Sequence, residues 1–203
     1  MSTRGAWGFF LDGKEKVSYN HSSSYPTWLG RDIFSFPRQV MAWGKKGSDN
    51  VVPLIRIIFR QIILVPQDGK PSGKETRLCA KWAGFDVSAR PPESWYDLLG
   101  LSQGNPKAYL EGLLYMTDDQ EFLLDSFWAE WAYIYNLDSG RLEVYRGFNK
   151  NRKTPGRYAA GLKGEKYKGV ALIGEYPIAD VALMDDESIM ELMRVLEGSL
   201  GKR

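Results

Sequence analysis

The chain has 203 residues, of which 43% are hydrophobic, and its formal net charge is +2. This length and apolar content fit one domain with a packed core, and the nearly balanced charge gives no global field that would attract nucleic acid. A single cysteine and a single histidine exclude an internal disulfide, a cysteine-based zinc site and a multi-histidine metal site.

The start of the chain, MSTRGAWGFFLDGKEK, has a charge at Arg4 and no long apolar run, so we expect no signal peptide. The most apolar stretch, residues 51–65, contains Pro53, Arg56 and Arg60, and it is too short and too charged to span a membrane. We therefore expect a protein of a reducing, cytoplasmic compartment, without a cofactor, a metal or a membrane partner.

The N-terminal segment predicts a β-hairpin followed by a loop and a helix. Residues 5–11 and 17–20 have strand character, and the Asp-Gly-Lys sequence between them is a turn signal. The loop SSSYPT follows. Apolar residues then recur at helical spacing over residues 29–43. Pro37 lies inside that pattern, so we expect the helix to kink or restart there.

The middle of the chain predicts three further helices and a short strand. Residues 51–61 are predicted as the first helix, with Pro53 in its first turn, where a missing N–H is harmless, but their β-branched content leaves a strand as the alternative. Residues 62–65 are a short buried strand. Residues 91–99 and 105–116 are predicted as two more helices.

The C-terminal part contains the clearest hairpin, residues 127–137 and 141–148 around the turn Asp-Ser-Gly. Residues 149–168 are a basic, glycine-containing loop excursion from the domain. Residues 170–176 predict a strand and residues 185–200 an amphipathic helix. The whole pattern predicts a single α+β domain, with helices packed on an antiparallel sheet of about five strands.

The first candidate site lies at the open end of the N-terminal hairpin. Neighbouring strands are about 4.8 Å apart, so Arg4 should lie near Asn20 and His21, with Ser24 and Tyr25 close by. A guanidinium, an amide, an imidazole and hydroxyl groups can hold an anion or a carbonyl. The alternative is a polar loop whose side chains satisfy its own backbone.

The second hairpin offers aromatic rings and a cation for the same ligand. Trp131, Tyr133 and Tyr145 could stack on a flat group, and Arg146 could supply charge. The alternative is an aromatic core in which each N–H and O–H group has a partner.

Two further groups of residues are candidates for chemistry. Removal of Met1 would expose Ser2, whose free amine could serve as the base for its own hydroxyl, as in N-terminal nucleophile enzymes; the alternative is an ordinary chain start. Asp125, Glu130 and Glu143 lie around the second hairpin. Paired carboxylates could do acid–base work or hold Mg²⁺, although no two of them have a known metal spacing, and the alternatives are a pocket wall or a solvent-facing surface.

The basic loop is the last candidate. Lys150, Arg152, Lys153 and Arg157 could collect an anionic ligand, an RNA or an acidic partner, or form a solvated surface. No helix-turn-helix, RNA-recognition signature or zinc finger is present, and neither phosphate-binding glycine motif occurs. Nucleic acid is therefore not the expected partner.

Three segments, TRGAWGF, YNHSSSYPTWLG and FWAEWAYIYNLDSGRLEVYRGF, resemble an uncharacterised family of phage, prophage and bacterial proteins. That family looks like TRG-x-x-GF, then YNH-x-D-S-Y-P-x-x-LG, then EWAY-x-x-x-LD with VYRGF. The resemblance implies an accessory protein of the bacterial cytoplasm that binds a small anionic metabolite, such as a nucleotide signal, or a host protein, and counteracts host defence.

Ser23 departs from the family pattern, which resembles an aspartate at this place, and this departure favours binding over catalysis. A weaker resemblance joins Ser2, Thr3 and Arg4 to N-terminal nucleophile amidohydrolases. It implies an amide hydrolase with Ser2 as nucleophile, Arg4 as carboxylate or oxyanion partner, and Asn20 as oxyanion donor. A third alternative is a protein-interaction module that uses exposed tryptophan and the basic loop.

Overall fold

The N-terminal hairpin forms as predicted, from β1 (Gly5–Leu11) and β2 (Lys14–Asn20). Its two turn residues, Asp12 and Gly13, both have positive φ, 52° and 71°. Such a turn matches the twist of the strands, and glycine adopts it without strain. In the computed structural model, residues 3–44, 50–163 and 165–198 are described.

The remaining strands are β3 (Ile63–Val65), β4 (Tyr115–Thr117), β5 (Trp131–Asn136), β6 (Arg141–Arg146) and β7 (Ala171–Pro177). The α-helices are α1 (Arg31–Trp43), α2 (Val51–Gln61), α3 (Gly73–Cys79), α4 (Trp95–Leu98), α5 (Lys107–Leu110), α6 (Ile178–Val181) and α7 (Asp186–Gly198). A turn of π-helix, Pro26–Gly30, leads into α1.

The main sheet has five strands in the order β2-β1-β5-β6-β7, and β3 pairs with β4 in a separate two-stranded sheet. The α+β fold and the five strands are as predicted, but the sheet is mixed, because β1 and β5 are parallel. The chain leaves the sheet at Asn20, which pairs with Gly5, and returns at Trp131, which also pairs with Gly5. Leaving and returning at one end makes β5 run in the direction of β1.

The sheet has two covered faces. On the face that we call the helix face, Trp7, Phe9, Tyr133 and Tyr135 are fully buried in a core that includes residues of α1, α2 and α7. On the other, the loop face, Ala6, Ala132, Ile134 and Tyr145 pack with Leu123, Tyr158 and Val170 from loops. Burial of both faces accounts for the large aromatic content.

The helix does not restart at Pro37, since α1 continues through this residue. A proline at this position has no N–H to bond the carbonyl oxygen of Ile33, four residues earlier. The hydroxyl of Tyr135 donates a hydrogen bond to that oxygen instead. A partner from the sheet thus satisfies the carbonyl that proline leaves open.

The helices predicted over residues 91–99 and 105–116 are much shorter than expected. The first is only α4, capped by the Ser94 hydroxyl, which accepts a hydrogen bond from the Asp97 N–H. The second is only α5, after which Gly112 takes a φ of +94° that ends helical geometry. Residues 115–117 then pair with β3, so tertiary pairing overrides the helical pattern.

No described helix is long and apolar enough to cross a membrane.

Cys79, the last residue of α3, has a buried side chain. Burial raises the pKa of its thiol from 9.0 to about 11. At pH 8 this leaves about 100 times less thiolate than the ordinary value would. We expect iodoacetamide to label Cys79 about 100-fold more slowly in the native protein than in protein unfolded with urea. Equal labelling rates, measured by mass spectrometry, would contradict this placement.

Candidate functional site

The register of the N-terminal hairpin divides the first candidate site between the two faces of the sheet. Gly5 pairs with Asn20 and Ala6 with Tyr19, and side chains alternate along a strand. Arg4 and His21, one step beyond Gly5 and Asn20, therefore share the face of Ala6 and Tyr19. The guanidinium and the imidazole come together as predicted, but the Asn20 amide lies on the opposite face.

A cavity of about 450 Å³ opens at this end of the loop face. We call it the Arg4 pocket, and its lining residues are Arg4, Tyr19, His21, Gln67, Tyr96, Asp119 and Phe122. The hairpin and the residues next to it supply three of them. The other four come from helix α4, which contains Tyr96, and from loop and 3-10 segments that the sequence did not associate with the site. Only Tyr19 carried a usable signal, because strand alternation places it on the same face as Arg4 and His21.

Arg4 brings a positive charge to this pocket. Its backbone oxygen accepts a hydrogen bond from the Glu130 N–H at 3.0 Å, which fixes the start of the strand. Its guanidinium lies 5.0 Å from the ring centroid of Trp128, a cation–π distance. Within the described ranges no carboxylate forms an ion pair with Arg4, so its hydrogen-bond donors can serve a ligand.

Tyr19 and His21 stand beside each other in the pocket. The Tyr19 hydroxyl and the His21 Nδ1 are 3.0 Å apart, and the Tyr19 ring packs edge-on against Phe122 at 4.9 Å. Burial raises the pKa of Tyr19, while the charge of Arg4 opposes that shift. The phenol therefore stays neutral at physiological pH and can donate or accept a hydrogen bond.

Asp119 is the one carboxylate among the described residues that line this pocket. It is buried, and it accepts hydrogen bonds from the Tyr19 N–H at 2.8 Å, from the Thr117 hydroxyl at 2.6 Å and from the Gln67 amide. Burial raises its pKa, and these donors partly offset the effect. Asp119 thus ties β2 to the end of β4, and its oxygens are engaged by protein donors.

Asn20 and Ser24 are structural on the helix face and do not form a pocket floor with Arg4. The Asn20 Nδ2 donates to the Ser22 carbonyl at 2.5 Å and to the Ser24 hydroxyl at 2.8 Å. Both amide hydrogens are therefore used inside the protein. Tyr25 packs partly buried against the core of the helix face. The alternative of a polar loop that satisfies its own groups describes Asn20 and Ser24, whereas Tyr25 contributes to packing.

The aromatic residues predicted to stack on the ligand are buried elsewhere. Trp131 and Tyr133 lie on the helix face, where Arg146 covers the Trp131 ring at 4.3 Å. The Tyr133 hydroxyl donates to the Ser24 carbonyl at 3.1 Å. Tyr145, on the loop face, donates to Glu143 at 2.7 Å. None of these four lines the Arg4 pocket, and the aromatic core with partnered edges describes them better.

The four cations of the basic loop differ in where their side chains lie. Lys150, Arg152 and Lys153 are exposed. Arg157 instead turns inward, and its Nη2 lies 2.6 Å from the Glu143 carboxylate. A cavity of about 520 Å³ borders Arg157, but Glu15 and Glu121 line it as well. Its negative charges outnumber the positive one, so this cavity does not suit an anion.

Ser2 lies outside the described residues, so nothing is said of its geometry. Among the residues that are described, no group of three or more His, Cys, Asp or Glu side chains is arranged to hold a metal ion.

Comparison of the chain with protein-family models, curated proteins and solved structures finds no match.

Proposed function

We propose that this protein is a non-enzymatic binding protein whose Arg4 pocket takes a small anionic ligand. The observation that carries the proposal is the meeting of Arg4 and His21 at one cavity of about 450 Å³. The guanidinium offers several donors to a phosphate or carboxylate. Tyr19 and Tyr96 add phenol groups to the same lining.

The favoured ligand class is a nucleotide signal. The Arg4 pocket combines a cation for the phosphate with aromatic rings at Tyr19, Tyr96 and Phe122, and flat bases bind to aromatic walls. On the resemblance to the phage and prophage family, we propose that binding of such a ligand counteracts host defence in the bacterial cytoplasm. A host protein is the alternative partner in that role.

The amide-hydrolase alternative has less support in the geometry. It needs Asn20 as an oxyanion donor, yet both amide hydrogens of Asn20 are bonded inside the hairpin and its loop. Intact-mass measurement of protein made without a tag tests this alternative, because the mechanism requires a free Ser2 amine. Full biological activity with Met1 retained would eliminate it.

The binding proposal predicts that anions stabilise the folded protein through Arg4. With inorganic pyrophosphate or AMP as the probe, we expect the melting temperature to rise with probe concentration. Arg4→Gln should weaken the affinity at least about tenfold, since a hydrogen bond to a charged group contributes about 1.5–3 kcal/mol. Calorimetric titration gives the dissociation constants.

Arg60→Gln is the matched control, because Arg60 is an exposed arginine on α2, which packs on the helix face. It should bind both probes like the unmodified chain. Equal weakening by the two substitutions would mean that the probes respond to overall charge, and the proposal would be rejected.

A further inference from the structure

Four aromatic side chains meet at the surface where three loops come together. They are Phe127, Trp128, Phe148 and Tyr167, and we call them the aromatic surface. Phe127 lies at the centre, with ring centroids 4.9 Å from Trp128, 5.2 Å from Tyr167 and 6.5 Å from Phe148. Phe127 and Trp128 are 44% and 50% exposed. The fold therefore holds large apolar rings together in water, which is typical of an interaction site.

The backbone holds these loops in fixed register. The Ser126 N–H donates to the Lys168 carbonyl at 2.9 Å, and the Phe148 N–H donates to the Ser126 carbonyl at 2.7 Å. The Ser126 hydroxyl accepts from the Asn149 N–H at 2.9 Å. Ser126 is itself fully buried. The rings are thus positioned before a partner arrives, which lowers the entropy cost of binding.

Phe148 has a left-handed backbone, with a φ of +57°. Residues with a bulky side chain rarely adopt this conformation, because it is strained. Such strain persists where the surrounding structure fixes it, and it is concentrated at binding sites. In this backbone conformation the ring centroids of Phe148 and Tyr167 are 6.1 Å apart.

Positive charges surround the rings. The Arg4 guanidinium lies over Trp128 at 5.0 Å, and the Lys150 ammonium lies over Tyr167 at 5.3 Å. Residues 125–130, 147–153 and 165–168 contain five Lys or Arg against three Asp or Glu, and Arg4 adds a sixth cation. One of the three carboxylates, that of Asp125, is engaged by the Phe127 N–H at 3.0 Å.

We propose that the aromatic surface binds single-stranded nucleic acid. Exposed rings stack on bases of any sequence, and neighbouring cations contact the phosphates. This mode needs none of the sequence-reading motifs whose absence argued against nucleic acid. An acidic peptide would satisfy the cations but would leave the four rings without a role. The two proposals share Arg4, but none of the four rings lines the Arg4 pocket, so substitutions of the rings test this proposal separately.

Fluorescence anisotropy with labelled oligo(dT) and oligo(rU), each about 12 nucleotides long and within the span of single-strand-binding domains, tests the proposal. We expect both probes to bind, with affinity that falls as salt rises. The ratio of the two affinities tells whether DNA or RNA is preferred. Phe127→Leu and Trp128→Leu keep an apolar side chain but remove the flat ring, and each should weaken binding about tenfold.

Trp43→Leu is the matched control, because Trp43 is 52% exposed at the end of α1 and should leave binding unchanged. Lys150→Gln should weaken binding and make its salt dependence shallower. Failure of both oligonucleotides to bind overturns the proposal. So does binding that Phe127→Leu and Trp128→Leu leave unchanged, or equal competition by poly-glutamate, because either result would show simple attraction of charge.

Discussion

Replacing Arg157 with methionine is expected to destabilise the protein by about 3–5 kcal/mol, because a buried carboxylate would lose its cation. The Glu143 side chain is only 5% exposed, and its two oxygens lie 2.6 and 2.9 Å from Arg157 Nη2. The guanidinium also lies over the ring of Phe10 at 3.8 Å. Urea denaturation followed by circular dichroism measures the loss.

The same ion pair joins the loop excursion to the sheet. Arg157 comes from the loop after β6, whereas Glu143 lies in β6 and Glu15 in β2. The Tyr158 hydroxyl donates to Glu15 at 2.7 Å. The pKa of Arg157 is raised because the attraction of the carboxylates outweighs its burial. The guanidinium is therefore charged throughout the physiological pH range.

A double replacement separates the ion pair from simple packing. Glu143→Gln together with Arg157→Met removes both charges but keeps a side-chain amide that can still bond the Tyr145 hydroxyl and the Asn136 amide, so most of the stability lost in Arg157→Met should return. If Arg157→Met alone costs less than about 1 kcal/mol, as surface ion pairs do, the pair is not the fixed buried contact described above.

Tyr135→Phe is the second change with a large expected effect, a loss of about 1–3 kcal/mol. It removes the hydroxyl that donates a hydrogen bond to the Ile33 carbonyl. Pro37 has no N–H that could donate to that oxygen instead. Because that oxygen lies within the core, its loss of a partner is not compensated by water. Thermal and urea unfolding of the variant measure the effect.

Pro37→Ala provides the control for this explanation. Alanine restores the N–H that can bond the Ile33 carbonyl within α1, so Tyr135→Phe should cost less in the Pro37→Ala background. A double-mutant cycle gives the coupling between the two positions. Strict additivity of the two substitutions would mean that the hydroxyl does not substitute for the missing helical hydrogen bond.

Local signals predicted the parts of the fold that local chemistry decides. The Asp-Gly and Asp-Ser-Gly turns located both hairpins, and strand β7 and helix α7 form close to the predicted bounds. Long-range contacts explain the errors. The parallel pairing of β1 with β5 and the continuity of α1 through Pro37 both depend on residues about 100 positions away.

For the candidate site too, local signals predicted one part correctly and long-range contacts explain what was missed. Antiparallel pairing brought Arg4 to His21, but its alternation also carried Asn20 to the other face. Gln67, Tyr96 and Asp119 reach the Arg4 pocket from distant segments, Tyr96 from helix α4 and the other two from loops, and no spacing in the sequence marks them. The loops of the aromatic surface are joined by backbone hydrogen bonds of Ser126 with Lys168 and with Phe148, which no pattern in the sequence predicts.

The central claim is that an anion binds between Arg4 and His21, and the single histidine of the chain offers a direct probe of it. Its imidazole gives one proton NMR signal from the ring carbon between the nitrogens, free of overlap with other histidines. Titration with pyrophosphate should move this signal to a saturating limit in the unmodified protein and in Arg60→Gln, but not in Arg4→Gln. A His21 signal that stays in place while calorimetry detects binding would place the anion elsewhere and contradict the account.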